Sequence, residues 1–193
     1  MPISAPARMA SLGSPMDIYT RKGDDGTTGL FYGGRVAKDS LLPSAYGTVD
    51  EAQAFLGLAR AEADRGSELD TMLVGIERDL YVVMAELATD PSKRGKLTAG
   101  TSLATAEMVT ALEELIDSTG ERFDPPTDFV VPGQHRVAAL LDVARTVVRR
   151  AERLAVGAAV EGSSVVPYLN RLSDLLWALA RWQEGESLPT REV

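Results

Sequence analysis

Residues 134–160 read QHRVAALLDVARTVVRRAERLAVGAAV. Val137, Leu140, Leu141, Ala144, Val147, Val148, Ala151, Leu154 and Ala155 recur there at steps of three and four, the spacing that lines one face of an α-helix. Working outward, the same spacing returns on both sides. Over 44–65 it is carried by Ala45, Val49, Ala52, Phe55, Leu56 and Ala59, and over 68–89 by Leu69, Met72, Leu73, Ile76, Leu80, Val83 and Leu87. A third helix carries Leu103, Val109, Leu112, Leu115 and Ile116, with Thr101 or Ser102 as candidate caps and Gly120 as its end. A fifth, over 165–183, has Pro167 near its first turn and Leu169, Leu172, Leu175, Leu176 and Leu179 along it. Gly66 and the pair Asp90-Pro91 are stop signals. Five amphipathic helices with short connections and almost no alternating strand pattern predict an all-α, five-helix bundle, whose crevices between helices are where ligands sit.

Between the helices the text is polar. Residues 18–34, IYTRKGDDGTTGLFYGG, are dense in Gly, Thr and Asp and predict an irregular loop rather than a regular element. Residues 90–100, DPSKRGKLTAG, and 121–133, ERFDPPTDFVVPG, read as loops for the same reason. Residues 1–17 are rich in small side chains and lack the apolar core of a signal peptide, so they are expected to be a disordered tail. With no internal repeat or composition shift, 18–183 is expected to be a single domain and 184–193 a C-terminal tail.

Charge and residue inventory narrow the chemistry. The 193 residues carry a formal charge of -8, which works against nucleic acid as a partner, because the phosphate backbone rewards a basic surface. Charged residues interrupt every hydrophobic segment well short of the roughly 20 apolar residues that span a bilayer, so no membrane partner and a cytoplasmic location are expected. The absence of cysteine removes disulfides, thiolate metal sites and thiol nucleophiles together.

Several clusters invite functional readings beside ordinary structural ones. In the first loop, glycines would let backbone amides approach phosphate oxygens while Arg21, Lys22, Arg35 and Lys38 supply charge; a solvated polar loop fits the same residues, and the spacing is not that of a P-loop. Asp24 and Asp25 are either magnesium ligands or turn residues. The fourth helix carries Arg145, Arg149, Arg150, Glu152 and Arg153, with 145, 149, 152 and 153 on one face. These are either surface ion pairs, such as Arg149 with Glu152 or Arg150 with a neighbouring helix, or partners for buried carboxylates or a phosphate chain. On the fifth helix Asn170 and Asp174 lie one turn apart, able to present an amide and a carboxylate together or to join a polar network between helices. His135, the only histidine, stands outside any catalytic or metal-ligand constellation and reads as a cap or an exposed side chain.

Four blocks taken together, YTRKGDDGTTGL at 19–30, AYGTVDE at 45–51, FVVPG at 129–133 with ARTVVRRAER at 144–153, and YLNRLSDLLWALAR at 168–181, resemble the PduO-like ATP:cob(I)alamin adenosyltransferases. That resemblance implies a homotrimer of five-helix bundles with active sites between subunits, and an N-terminal loop that wraps ATP and Mg2+, the metal held mainly by the ATP phosphates. By position, Thr20, Arg21, Gly23, Asp24, Gly26, Thr27 and Thr28 look like the nucleotide loop, with Lys38 reaching the phosphates. Arg149, Glu152 and Asn170 look like the remaining ATP contacts. Arg145 and Asp50 resemble a pair that joins adjacent subunits by a salt bridge beside the site, and Phe129 resembles the aromatic on the lower face of the corrin.

The implied reaction transfers the 5′-deoxyadenosyl group of ATP to cob(I)alamin. Co(I) is itself the nucleophile at C5′ and triphosphate leaves, so no protein nucleophile is needed. A reductase and a B12-dependent client enzyme would then be partners. Two positions depart from the family pattern: Gln134 stands where the second glycine of a Gly-Gly pair is common, and Asp142 where a histidine is. They keep open a second expectation, a non-catalytic corrinoid or nucleotide carrier of the same fold, and a third, a purely structural helical oligomer.

Overall fold

The structure, a computed structural model, describes residues 19–192; the expected tail at 1–17 lies outside them. Five helices carry the chain: α1 (Leu41–Glu62), α2 (Glu68–Leu87), α3 (Ala106–Gly120), α4 (Arg136–Ala158) and α5 (Val165–Glu184). α4 is central and packs most extensively, against α1 on one side and α5 on the other, while α2 covers α1 and α3 covers α5. The α1 and α4 contact is close because both faces are built from small residues. Ala45, Ala52 and Ala59 on α1 and Ala144, Ala151 and Ala155 on α4 are buried, and only Val49 and Leu56 interrupt the α1 row with bulk. α5 supplies the volume: Leu169, Leu172, Leu175, Leu176 and Leu179 are fully buried, each stabilising by about 1.5–3 kcal/mol relative to exposure. Buried side chains from all five helices form one cluster.

The helix order expected from periodicity is present, with shifted ends. α1 begins at Leu41, so Pro43 lies inside its first turn rather than before it, where its missing N–H costs nothing. The cap of α3 is Thr105, not Thr101 or Ser102, and its hydroxyl accepts from the Met108 N–H. Ser102 instead accepts from the Thr98 N–H within the preceding turn. The 90–100 loop contains a 3₁₀ turn over Pro91–Lys96, opened by Asp90, whose carboxylate accepts from the Ser92 N–H.

Residues 18–34 were expected to be irregular, and here the structure differs. Thr27–Gly29 (β1) and Arg35–Ala37 (β2) form an antiparallel hairpin with Thr28 opposite Val36. The turn is made by Gly33 and Gly34 at φ 83° and 98°, which only glycine adopts without strain. Strands of three residues are too short for an alternating pattern to be read. The hairpin is docked: the Phe31 N–H donates to the carbonyl of Ala88 beyond α2, and Lys93 Nζ donates to the carbonyls of Gly33 and Tyr32.

The segment after α5 also gains partners. Val130 and Pro189 form an antiparallel bridge, and Thr190–Glu192 closes in a 3₁₀ turn.

Candidate active site

Three polar regions hold the residues singled out from sequence. The first is the hairpin and the turn that leads into it. Asp25 accepts from both the N–H and the hydroxyl of Thr27, at 2.9 and 2.7 Å, and Arg35 crosses from β2 to the Thr27 hydroxyl (Nε at 2.9 Å) and to the carbonyl of Lys22. The Thr27 hydrogen bonds, with Arg35 beside them, hold the Asp25 carboxyl below its ordinary range. Asp25 is thus a turn residue, while Asp24 is exposed.

Lys38 lies against this turn. Its N–H donates to the Gly26 carbonyl, and a Cβ on Gly23 would stand 3.1 Å from its Nζ, so glycine at 23 leaves the ammonium its place. Thr20 accepts from the Lys22 N–H, Arg21 adopts φ 59° with its guanidinium over the Tyr19 ring, and Thr28 sits in the ladder. The loop therefore gathers Thr20, Arg21, Gly23, Asp24, Gly26, Thr27, Thr28 and Lys38 into one exposed turn. Arg35, which sequence reasoning named only as a source of charge, is what staples it.

The second region runs along α4 and the start of α5. Asn170 Nδ2 donates to Glu152 Oε1 at 3.0 Å, so these two are brought together. Arg171 donates to Asn170 Oδ1 and to Glu113 and stands 3.8 Å from Asp174, which makes Asn170 and Asp174 members of an interhelical polar network. Arg150 pairs with Glu51 of α1, one of the surface pairs anticipated. Arg149 does not pair with Glu152, which accepts from Asn170 instead, and Arg149 is exposed. His135 is exposed and precedes α4 without a side-chain cap bond.

The third region is a cleft of about 570 Å³ between the 126–132 loop, the first half of α4 and the second half of α5. Phe129, Val130, Pro132 and Trp177 give it an apolar rim, and Phe129 is 83% exposed. Charge lines its floor. Asp142, buried on α4, accepts from Arg145 Nε at 3.0 Å and from Arg181 Nη2 at 2.8 Å, and Arg181 Nε stands 2.9 Å from Glu184. Arg181 is only 2% exposed, so its charge is balanced wholly inside the protein. Arg145 thus meets Asp142 of its own chain, and Asp50 lies exposed on α1 without contact to it.

Trp177 and Arg181 were not among the candidate site residues, and Asp142 was marked only as a departure from the family pattern. The available signal was a lone Asp and a lone Arg on apolar helix faces, which must find each other when buried.

The cobalamin adenosyltransferase family model matches residues 18–183, a span that contains all three regions. The chain belongs to this family. Its relatives include the corrinoid adenosyltransferase of Citrobacter freundii, 43% identical over 170 residues that cover 86% of this chain and 94% of that protein. The Mycobacterium bovis corrinoid adenosyltransferase is 44% identical, covering 85% of this chain and 86% of its own length. Against the corrinoid adenosyltransferase PduO of Salmonella typhimurium, at 42% identity, 89% of this chain spans only 51% of the relative. Among solved structures, a variant PduO-type ATP:corrinoid adenosyltransferase from Lactobacillus reuteri complexed with cobalamin and ATP superposes with a TM-score of 0.81 at 28% identity, covering 91% of this chain and 97% of that one. The all-helical fold expected from sequence is the fold of this family.

Proposed function

We propose that the protein transfers the 5′-deoxyadenosyl group of ATP to cob(I)alamin, forming adenosylcobalamin and triphosphate. The observation that carries this reading is that the family match spans both the stapled Thr/Gly/Lys turn and the residues that line the Phe129 cleft. In the reaction a Co–C5′ bond forms as the C5′–O bond breaks, and the electron pair leaves with triphosphate. No protein nucleophile is needed. The protein's tasks are in-line positioning and neutralisation of charge on the leaving group.

Residues divide along those tasks. Thr20, Arg21, Gly23, Asp24, Gly26, Thr27 and Thr28 hold the nucleotide, with Lys38 on the phosphates and Arg149, Glu152 and Asn170 as further contacts. Among the described residues no cluster of three His, Asp or Glu could hold a metal, and Asp25 is already engaged by Thr27 and Arg35. Mg2+ would be carried mainly by the ATP phosphates, where it would add to charge neutralisation. Phe129 takes the lower face of the corrin, favouring a four-coordinate corrinoid that is easier to reduce to Co(I).

We read the protein as a homotrimer with inter-subunit sites, and the separation of its polar regions supports that reading. The ten steps along α4 from Asp142 to Glu152 separate cleft and polar row by about 15 Å. The hairpin docks beside the end of α2, where Glu86 accepts from Ser163 in the α4–α5 connection, at the far end of α4 from the cleft. A second copy that presents its hairpin to the first copy's cleft would bring the two halves together, with Asp50 meeting Arg145 across the contact. The domain is taken as 18–183, working in the cytoplasm with a reductase that supplies Co(I) and a client that takes the product; among the described residues no helix is long and apolar enough to cross a membrane.

Anaerobic incubation with ATP, Mg2+ and chemically reduced cob(I)alamin tests the proposal: it should yield adenosylcobalamin and triphosphate in equal amounts. Saturable binding of both ligands without product would instead make the protein a carrier.

A further inference from the structure

The 126–132 loop that carries Phe129 contains Pro126 and Pro132 and precedes a Gly133 at φ 124°, so it belongs to no regular element. Among the described residues its backbone makes two hydrogen bonds to a distant part of the chain, and both go to the segment after α5. The Val131 N–H donates to the Leu188 carbonyl and the Thr190 N–H donates to the Phe129 carbonyl, each at 2.8 Å. A third tie is ionic: Arg191 Nε lies 2.9 Å from Asp128 Oδ2. The root of the segment is fixed as well. Ser187 donates to Glu184 Oε2, Glu184 faces Arg181, and Arg181 donates to Asp142 on the cleft floor. A continuous chain of polar contacts thus runs from the cleft floor through the chain's last residues and back to the residue on the rim.

We propose that Ser187–Arg191 is a positioning strap for Phe129: the segment after α5 sets the height of the aromatic over the cleft and thereby the fit of the corrin ring. Two properties support this. Phe129 is exposed, so its own packing does not hold it; its backbone is held on both sides, the carbonyl by the Thr190 N–H and the N–H by the Asp128 carboxylate that pairs with Arg191. The strap also lies beyond the helices, so it adds little to the core and is free to serve the rim. The inference rests on the reading of Phe129 as the residue that faces the corrin.

The full-length protein is compared with Thr190→Pro, which removes the N–H that holds Phe129, with a truncation after Gly185, and with Phe129→Ala. The readouts are KM for cob(I)alamin, KM for ATP, and the four-coordinate cob(II)alamin signature in electron paramagnetic resonance with ATP present. Both strap variants should raise the corrinoid KM about tenfold, the loss of one to two ordinary hydrogen bonds, leave the ATP KM within about twofold and weaken the four-coordinate signal. Phe129→Ala should do the same or more. Strap variants with wild-type corrinoid KM and signal, beside an impaired Phe129→Ala, would overturn the strap alone. An unaffected Phe129→Ala would overturn the reading of Phe129 and the strap with it. Equal losses in both KM values would reduce the strap to general stability and overturn it too.

Discussion

Replacing Asp142 with alanine removes one of four charges that balance two against two beneath the cleft. The side chains of Asp142, Arg181 and Glu184 are 7%, 1% and 0% exposed, whereas that of Arg145 is 27% exposed. Removing one partner of a buried pair costs about 3–5 kcal/mol, most of it the penalty of the stranded charge. Arg181 keeps Glu184 at 2.9 Å, and Arg145 can turn to water, so the lower end applies, about 3 kcal/mol. For a chain of this size that lowers Tm by roughly 6–12 °C. Arg145→Ala should cost no more than about 1 kcal/mol, because Asp142 keeps Arg181 and the lost guanidinium was partly solvated. Urea and thermal unfolding followed by circular dichroism at low and high salt would measure both. The Asp142 effect should persist in high salt, since buried pairs are weakly screened. An Asp142→Ala protein within about 1 kcal/mol of wild type, or an equal loss from Arg145→Ala, would refute the reasoning.

Three further outcomes are expected. In Gly23→Ala the new methyl meets Lys38 Nζ at 3.1 Å and the Thr27 carbonyl at 3.2 Å; the ammonium must move, and the ATP KM should rise about tenfold or more in steady-state assays, with stability little changed. Asp79→Asn should flatten the acid side of the stability profile. Burial raises the Asp79 carboxyl above its ordinary 3.8, against the opposing Tyr168 hydrogen bond, so the folded state holds its proton longer than the unfolded one and wild type loses stability as pH climbs from 3.8 through the raised value. The Asn variant, which still offers an acceptor to the Tyr168 hydroxyl, should lack that fall in pH-dependent melts. Asp50→Ala and Arg145→Ala should each lower turnover strongly, and in the double variant the losses should be less than additive; strict additivity would remove the inter-subunit pairing.

How much was legible follows from what each feature needs. The five helices were readable because a buried stripe repeats over several turns, as Ala45 to Ala59 and Leu169 to Leu179 do. The β1–β2 hairpin was not, because three-residue strands carry too few positions for a period of two, although Gly33-Gly34 marked its turn. Within the site, Glu152 and Asn170 were singled out and do meet, yet their juxtaposition depends on how α4 and α5 are rotated, which apolar spacing constrains only to a face. Arg181 was hidden for the same reason. In the run LLWALAR it looks like a helix-end cation, and only the packing of α5 on α4 reveals that it points at Asp142. The strap was unreadable because its partners, Leu188 with Val131 and Thr190 with Phe129, are backbone groups, and backbone bonding between two irregular segments leaves no mark on side-chain pattern.

Asp142, a departure from the family pattern, could be taken as a competitor that holds Arg145 away from a neighbouring subunit. Counting donors argues otherwise. A guanidinium has five N–H groups, and Asp142 takes only the one on Nε of Arg145. Four remain on the two terminal nitrogens, in the fork that matches a carboxylate bidentately. Held by Nε from one turn earlier on α4, the side chain has fewer rotamers to lose when a carboxylate such as Asp50 of a second copy approaches. The negative charge of Asp142 is likewise not a free charge in the cleft, because Arg181 neutralises it from the buried side. What the cleft presents to a corrinoid at this position is therefore an oriented guanidinium at the edge of a balanced cluster of four charges, rather than a repelling carboxylate.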